Sequence, residues 1–68
     1  METKLNEIDL YRLSYLVEKL LISKSTIWIW IKEGSFPKPI RLGRNSVAWL
    51  ASDIENWIQS RIDLNNQS

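Results

Sequence analysis

The chain contains no cysteine and no histidine. Disulfides are therefore excluded, and so is nearly every zinc site, because zinc takes thiolate or imidazole ligands. The usual nucleophile and general-base sets are missing for the same reason. Glycine is scarce: Gly34 and Gly43 are the two present, so there is no glycine-rich loop to cradle a phosphate. No apolar run exceeds five residues, as in Ile27 to Ile31, against the roughly 20 that a membrane span needs. The first residues, Met1 to Glu7, lack the apolar stretch of a signal peptide. These absences predict a cytoplasmic protein with no catalytic set, no metal, no cofactor, no membrane contact and no small-molecule substrate.

What is present is apolar packing in one small domain of 68 residues, with four tryptophans as its largest pieces. Each aromatic side chain can bury roughly 150–250 Å². Net charge is only +1, yet its distribution is uneven. Residues 24 to 49 hold Lys24, Lys32, Lys38, Arg41 and Arg44 against Glu33 alone, five minus one, or +4. The rest of the chain holds four basic and seven acidic residues, or −3. An anionic partner should meet the basic segment.

Periodicity divides the chain into short elements. Residues 1–11 show no steady period and read as a flexible arm. Leu13, Leu16, Val17, Leu20 and Leu21 recur at spacings of three and four, which predicts a first helix from about Tyr15 to Leu20 with Ser14 as its cap. Ser23 is placed to cap a second helix from Lys24 to Glu33, which Gly34 ends. Ile27, Trp30 and Ile31 should face the core. So tight a turn between two short helices predicts a helix-turn-helix.

Pro37 and Pro39 then enforce an extended path. Ile40-Arg41-Leu42 and Val47-Ala48-Trp49 alternate around Gly43-Arg44-Asn45-Ser46, the pattern of a β-hairpin with a basic tip. Ser52 and Glu55 have the spacing of a capping box for a third helix reaching about Ile62. Residues 63–68 read as a frayed tail. The predicted fold is mainly α with a small hairpin: a winged helix-turn-helix of three helices and a two-stranded wing over residues 12–62.

A helix fits the major groove of B-DNA. The second helix offers Lys24, Ser25, Thr26, Trp28, Ile29 and Lys32; Lys38 and Arg41 follow, and Arg44 and Asn45 occupy the hairpin tip. Lys24, Lys32 and Arg41 suit phosphates, Ser25 and Thr26 suit phosphate or base, and the tip suits a neighbouring groove or backbone. Trp30, Trp49 and Trp57 read as core. Trp28 reads as partly buried beneath the wing. Five consecutive apolar residues from Ile27 to Ile31 cannot share one core face, so at least one must lie outside it.

The stretch from Ser23 to Gly43, with Ser23-Lys24-Ser25-Thr26-Ile27-Trp28 leading into Lys32-Glu33-Gly34-Ser35-Phe36-Pro37-Lys38-Pro39, resembles the AlpA family of prophage regulators and excisionase-like proteins. Val47-Ala48-Trp49 and Ser52 to Ile58 continue the likeness. The resemblance implies a winged helix-turn-helix of the MerR and excisionase kind. It implies transcriptional control, or direction of an integrase towards excision, through double-stranded operator or attachment-site DNA. Three positions depart from the family pattern. Ile29 stands where a basic residue is usual, Leu50 where an arginine is common, and Leu21 where the turn commonly holds glycine. The first two exchange cationic contacts for apolar surface. They support an alternative in which the Trp28 and Ile29 face binds a protein, as an inhibitor or adaptor would.

Overall fold

The computed structural model describes residues 9–66. The elements in order are β1 (Leu10–Tyr11), α1 (Leu13–Leu20), α2 (Lys24–Glu33), β2 (Ile40–Gly43), β3 (Ser46–Leu50) and α3 (Ala51–Asn66). The arrangement is a helix-turn-helix, a hairpin wing and a closing helix, as the sequence predicts. The sheet has one strand more than the hairpin: its order is β1-β3-β2, antiparallel throughout. β1 pairs Leu10 with Leu50 and Tyr11 with Trp49, so the last two residues of the segment read as an arm are strand. Asp9 of that segment is also ordered against the fold, its carbonyl bonded to the Ala51 amide, and residues 1–8 lie outside the described residues.

α1 begins two residues earlier than Tyr15. Arg12 is its N-cap, with extended backbone and no side-chain cap hydrogen bond, and the Leu16 amide already bonds the Arg12 carbonyl at 3.0 Å. Ser14 is thus inside the helix and does not cap it. Leu16 is fully buried, with Leu13, Val17 and Leu20 packed around it. Leu21 leaves that face. It takes the left-handed conformation (φ 59°, ψ 39°), its amide bonding the Val17 carbonyl at 3.0 Å, and its side chain is 87% exposed. A leucine therefore makes the turn that glycine makes most cheaply.

α2 matches its predicted bounds. The Ser23 hydroxyl accepts from the Thr26 amide at 3.2 Å, the ordinary N-cap bond. Gly34 ends the helix at φ 82°. α3 differs at both ends. β3 runs straight into it, so the helix starts at Ala51 and Ser52 is already inside. The Ala51 amide is satisfied at 2.8 Å by the Asp9 carbonyl, where the sequence suggested a serine hydroxyl. Glu55, the other half of the expected box, accepts from the Tyr11 hydroxyl at 3.3 Å. At its far end α3 continues through residues 63–66, beyond the expected stop at Ile62.

The core joins all three helices and β3. Leu16, Ile27, Trp49 and Ile54 are wholly buried, and Phe36 nearly so. Phe36 sits edge-on to Trp57 at 4.9 Å and to Trp49 at 6.4 Å. Trp30 lies 5.9 Å from Trp57. Trp30 and Trp57 are half-buried at the margin of this cluster. The ring of each large tryptophan has a polar edge to satisfy. The Trp49 indole donates to the Pro37 carbonyl at 2.8 Å, and the Trp57 indole to the Ser35 carbonyl at 2.7 Å. These two bonds fasten the segment after Gly34 to the wing and to α3.

Candidate nucleic-acid interface

α2 divides cleanly into two sides. Successive residues step about 100° around a helix. Thr26, Ile27, Trp30 and Ile31 fall together and are buried or half-buried, while Lys24, Ser25, Trp28, Ile29, Lys32 and Glu33 fall together and are exposed. Ser25 and Lys32 mark the middle of the outer side. Trp28 flanks that midline on one hand and Ile29 on the other. The five-residue apolar run is resolved in this way: Ile27, Trp30 and Ile31 turn inward, and Trp28 and Ile29 turn outward.

Trp28 is 42% exposed, more open than the partial burial read from the sequence. Its ring lies 6.0 Å from that of Trp49, tilted by 51°. The indole therefore leans on the root of the wing without passing beneath it. Ile29 is 53% exposed, and its side chain lies outside the core cluster.

Thr26 stands apart from the other predicted site residues. It is half-buried, and its hydroxyl lies 2.9 Å from that of Ser23, so its geometry serves the cap. Lys24, Ser25, Lys32, Lys38, Arg41, Arg44 and Asn45 are all exposed. Arg44 and Asn45 form the two-residue turn between β2 and β3. The register of β2 shifts between Arg41 and Gly43, just before that turn, and a shallow groove runs past Arg41, Leu42, Gly43 and Arg44.

One cation near the wing has no local signal in the sequence. Arg12, the N-cap of α1, reaches the Ser46 hydroxyl at 3.4 Å across 34 positions of chain. Only the pairing of β1 with β3 brings it alongside the wing, where Ser46 directly follows the hairpin tip. Two further cations are engaged elsewhere. Lys19 lies over the rings of Tyr11 and Tyr15 at 5.7 and 5.6 Å. Arg61 covers Trp57 at 5.0 Å and donates to the Ser35 carbonyl at 3.1 Å. Partial burial, and next the Glu55 carboxylate, push the Tyr11 phenol above its ordinary value, so it remains the donor in its bond to Glu55. Among the described residues no group of three or more acidic side chains is placed to hold a metal. None of the described helices is long and apolar enough to cross a membrane.

Two short helices crossing at a tight turn, a hairpin leaning on the second of them and a third helix closing the core define a winged helix-turn-helix. The sequence model of the family described as prophage CP4-57 regulatory protein (AlpA) matches residues 9–62, and the chain belongs to that family. It is 29% identical over 63 residues to the DNA-binding transcriptional activator AlpA of Escherichia coli K12, covering 84% of this chain and 90% of the activator. It is 44% identical over 41 residues to the uncharacterized protein ORF88 of Enterobacteria phage P4. That match covers 60% of this chain and spans about half, 47%, of the phage protein. No solved structure matches the chain significantly.

Proposed function

We propose that this chain is a non-enzymatic DNA-binding prophage regulator. α2 lies in the major groove of a double-stranded operator or attachment site, and the wing rests on the adjacent backbone or minor groove. The observation that carries this reading is the outer half of α2: Lys24, Ser25, Trp28, Ile29 and Lys32 exposed together on a helix whose opposite side is locked into the core. Lys24, Lys32 and Arg41 neutralise phosphates, Lys38 lies in the same basic segment, and Arg44 and Asn45 at the tip reach a neighbouring groove or backbone. Ser25 is the hydroxyl placed for a phosphate or base edge, and Thr26 supports it through the cap. The same surface serves a transcriptional regulator and a factor that directs an integrase towards excision. The name of the E. coli relative favours the first. A domain this small covers few base pairs, so useful affinity needs several copies or an integrase bound alongside.

The test is an electrophoretic shift on attachment-site and flanking promoter DNA of the host prophage, with random DNA as competitor. Specific complexes should resist competitor, and Lys32→Ala and Arg44→Ala should each weaken them. A folded protein that shifts no DNA would overturn the reading. The exposure of Ile29 favours a second reading, in which this face binds a protein. Ile29→Lys separates the two, because it should destroy an apolar protein contact while a DNA complex held by phosphate contacts still forms.

A further inference from the structure

The outer side of α2 carries few of the side chains that usually read bases through paired hydrogen bonds. It has no arginine, asparagine or glutamine; of the residues that address guanine or adenine in bidentate fashion it offers only the lysines Lys24 and Lys32. It exposes two large apolar side chains, Trp28 and Ile29. In the major groove the one apolar feature of any base pair is the C5-methyl group of thymine. Resting on the groove-binding reading above, we propose that Ile29, with Trp28 as its companion, determines sequence preference by packing against thymine methyl groups.

The surroundings of the pair select this occupant over an apolar protein. Lys32 lies in the middle of the outer side, between Trp28 and Ile29 around the helix, and Ser25 lies two turns before it. A protein covering both apolar side chains would have to bury the Lys32 ammonium at the centre of the contact, where charged residues are depleted. A duplex meets both demands at once, with phosphates along the walls of the groove and methyl groups on its floor. Lys24 precedes Trp28 by one turn and Lys32 follows it by one, so the apolar pair has a cation towards each end of the helix. Both readers are also held in place. Ile29 is β-branched, and such side chains keep one dominant rotamer in a helix. Trp28 is braced by the buried Trp49 ring at 6.0 Å. Little side-chain freedom remains to be lost on binding.

The test begins with duplexes selected from random sequence by the full-length protein. The selected sites should share thymine at one or two positions. Replacing those thymines by deoxyuracil removes the methyl group and leaves every hydrogen-bonding edge unchanged. Each replacement should weaken binding about fourfold, the factor that corresponds to about 0.8 kcal/mol for one buried methyl-sized group. Placing 5-methylcytosine opposite guanine there should bind more tightly than unmodified cytosine, because the methyl group returns to the same place in the groove. In Ile29→Ala, whose truncated side chain lies outside the core, the ratio of thymine to uracil affinity should shrink towards one. Equal binding of thymine and uracil duplexes by the unaltered protein would overturn the proposal while leaving DNA binding intact. Selection that yields no preferred sequence would do the same. Absence of any DNA complex would instead overturn the groove-binding reading on which it rests.

Discussion

Leu21 is the residue whose conformation departs furthest from its chemistry. An L-residue with a Cβ loses about 1–2 kcal/mol in the left-handed region, and Leu21 recovers nothing by packing, since its side chain is 87% exposed. Glycine there would relieve the clash, and its greater freedom in the unfolded chain would take back about 0.5–1 kcal/mol. Leu21→Gly should therefore stabilise the protein by about 0.5–1 kcal/mol. In a domain of this size that is a rise of a few degrees in melting temperature, readable by thermal denaturation. No rise would mean that the turn relaxes around leucine without strain. The two indole hydrogen bonds allow a second comparison. The Ser35 carbonyl receives both the Trp57 indole and the Arg61 guanidinium, whereas the Pro37 carbonyl receives the Trp49 indole. Trp57→Phe leaves its acceptor one partner and should cost about 1 kcal/mol. Trp49→Phe should cost more, because it strips the bond from a wholly buried ring and leaves a part-buried carbonyl without its indole donor. Equal losses in urea titrations would show that ring volume, not the hydrogen bond, dominates at both sites. The left-handed turn was signalled in the sequence only by the family's preference for glycine, because nothing in leucine itself favours that conformation.

At the scale of elements, α2 was fully legible and α3 was not. α2 has local signals at both ends, a serine whose hydroxyl meets the Thr26 amide and a glycine that accepts φ 82°. Ser23→Ala removes the cap and should cost about 1 kcal/mol. Loss of α2 is loss of the proposed reading surface, so the variant should also bind DNA less well near its lowered melting temperature, and recover on cooling. A variant as stable as the parent would show that water caps the helix equally well. α3 misled because its true N-terminal partner is far away in sequence. The Asp9 carbonyl meets the Ala51 amide, and no local pattern encodes that. The capping-box spacing of Ser52 and Glu55 is real in the sequence, but β3 enters the helix before Ser52 can act. The outer residues of α2 were legible as a set from the helical repeat. The engagement of Thr26 with Ser23, and the arrival of Arg12 beside the wing, depend on contacts that only the folded chain creates.

At the scale of the whole molecule, charge is segregated although the net is small. The segment 24–49 carries +4 and the rest −3. A partner that meets the basic side should feel it strongly at low salt, and the acidic remainder should discourage deposition on DNA in other orientations. If about four cations meet phosphates in each protomer, log K should fall with log salt with a slope near −3.6, at ~0.9 per contact. Binding isotherms between low and physiological salt measure that slope directly. Lys32→Ala should reduce it by about 0.9, and a slope near zero would rule out phosphate contact as the source of affinity.

The pairing of β1 with the end of β3 sets the order in which the protein can be completed. Tyr11 and Glu55, joined by a hydrogen bond, are 44 positions apart, and Leu10 finds its partner only at Leu50. Pairing between distant segments requires a large loop to close before it stabilises anything. A nascent chain that has released only α1 and α2 therefore lacks the strand that anchors its own beginning. Synthesis must pass the hairpin and enter α3 before the first residues of β1 can be stitched in. The N-terminal edge is thus secured only after the wing has been made, and a chain interrupted at the wing tip would leave the ribosome without a finished core.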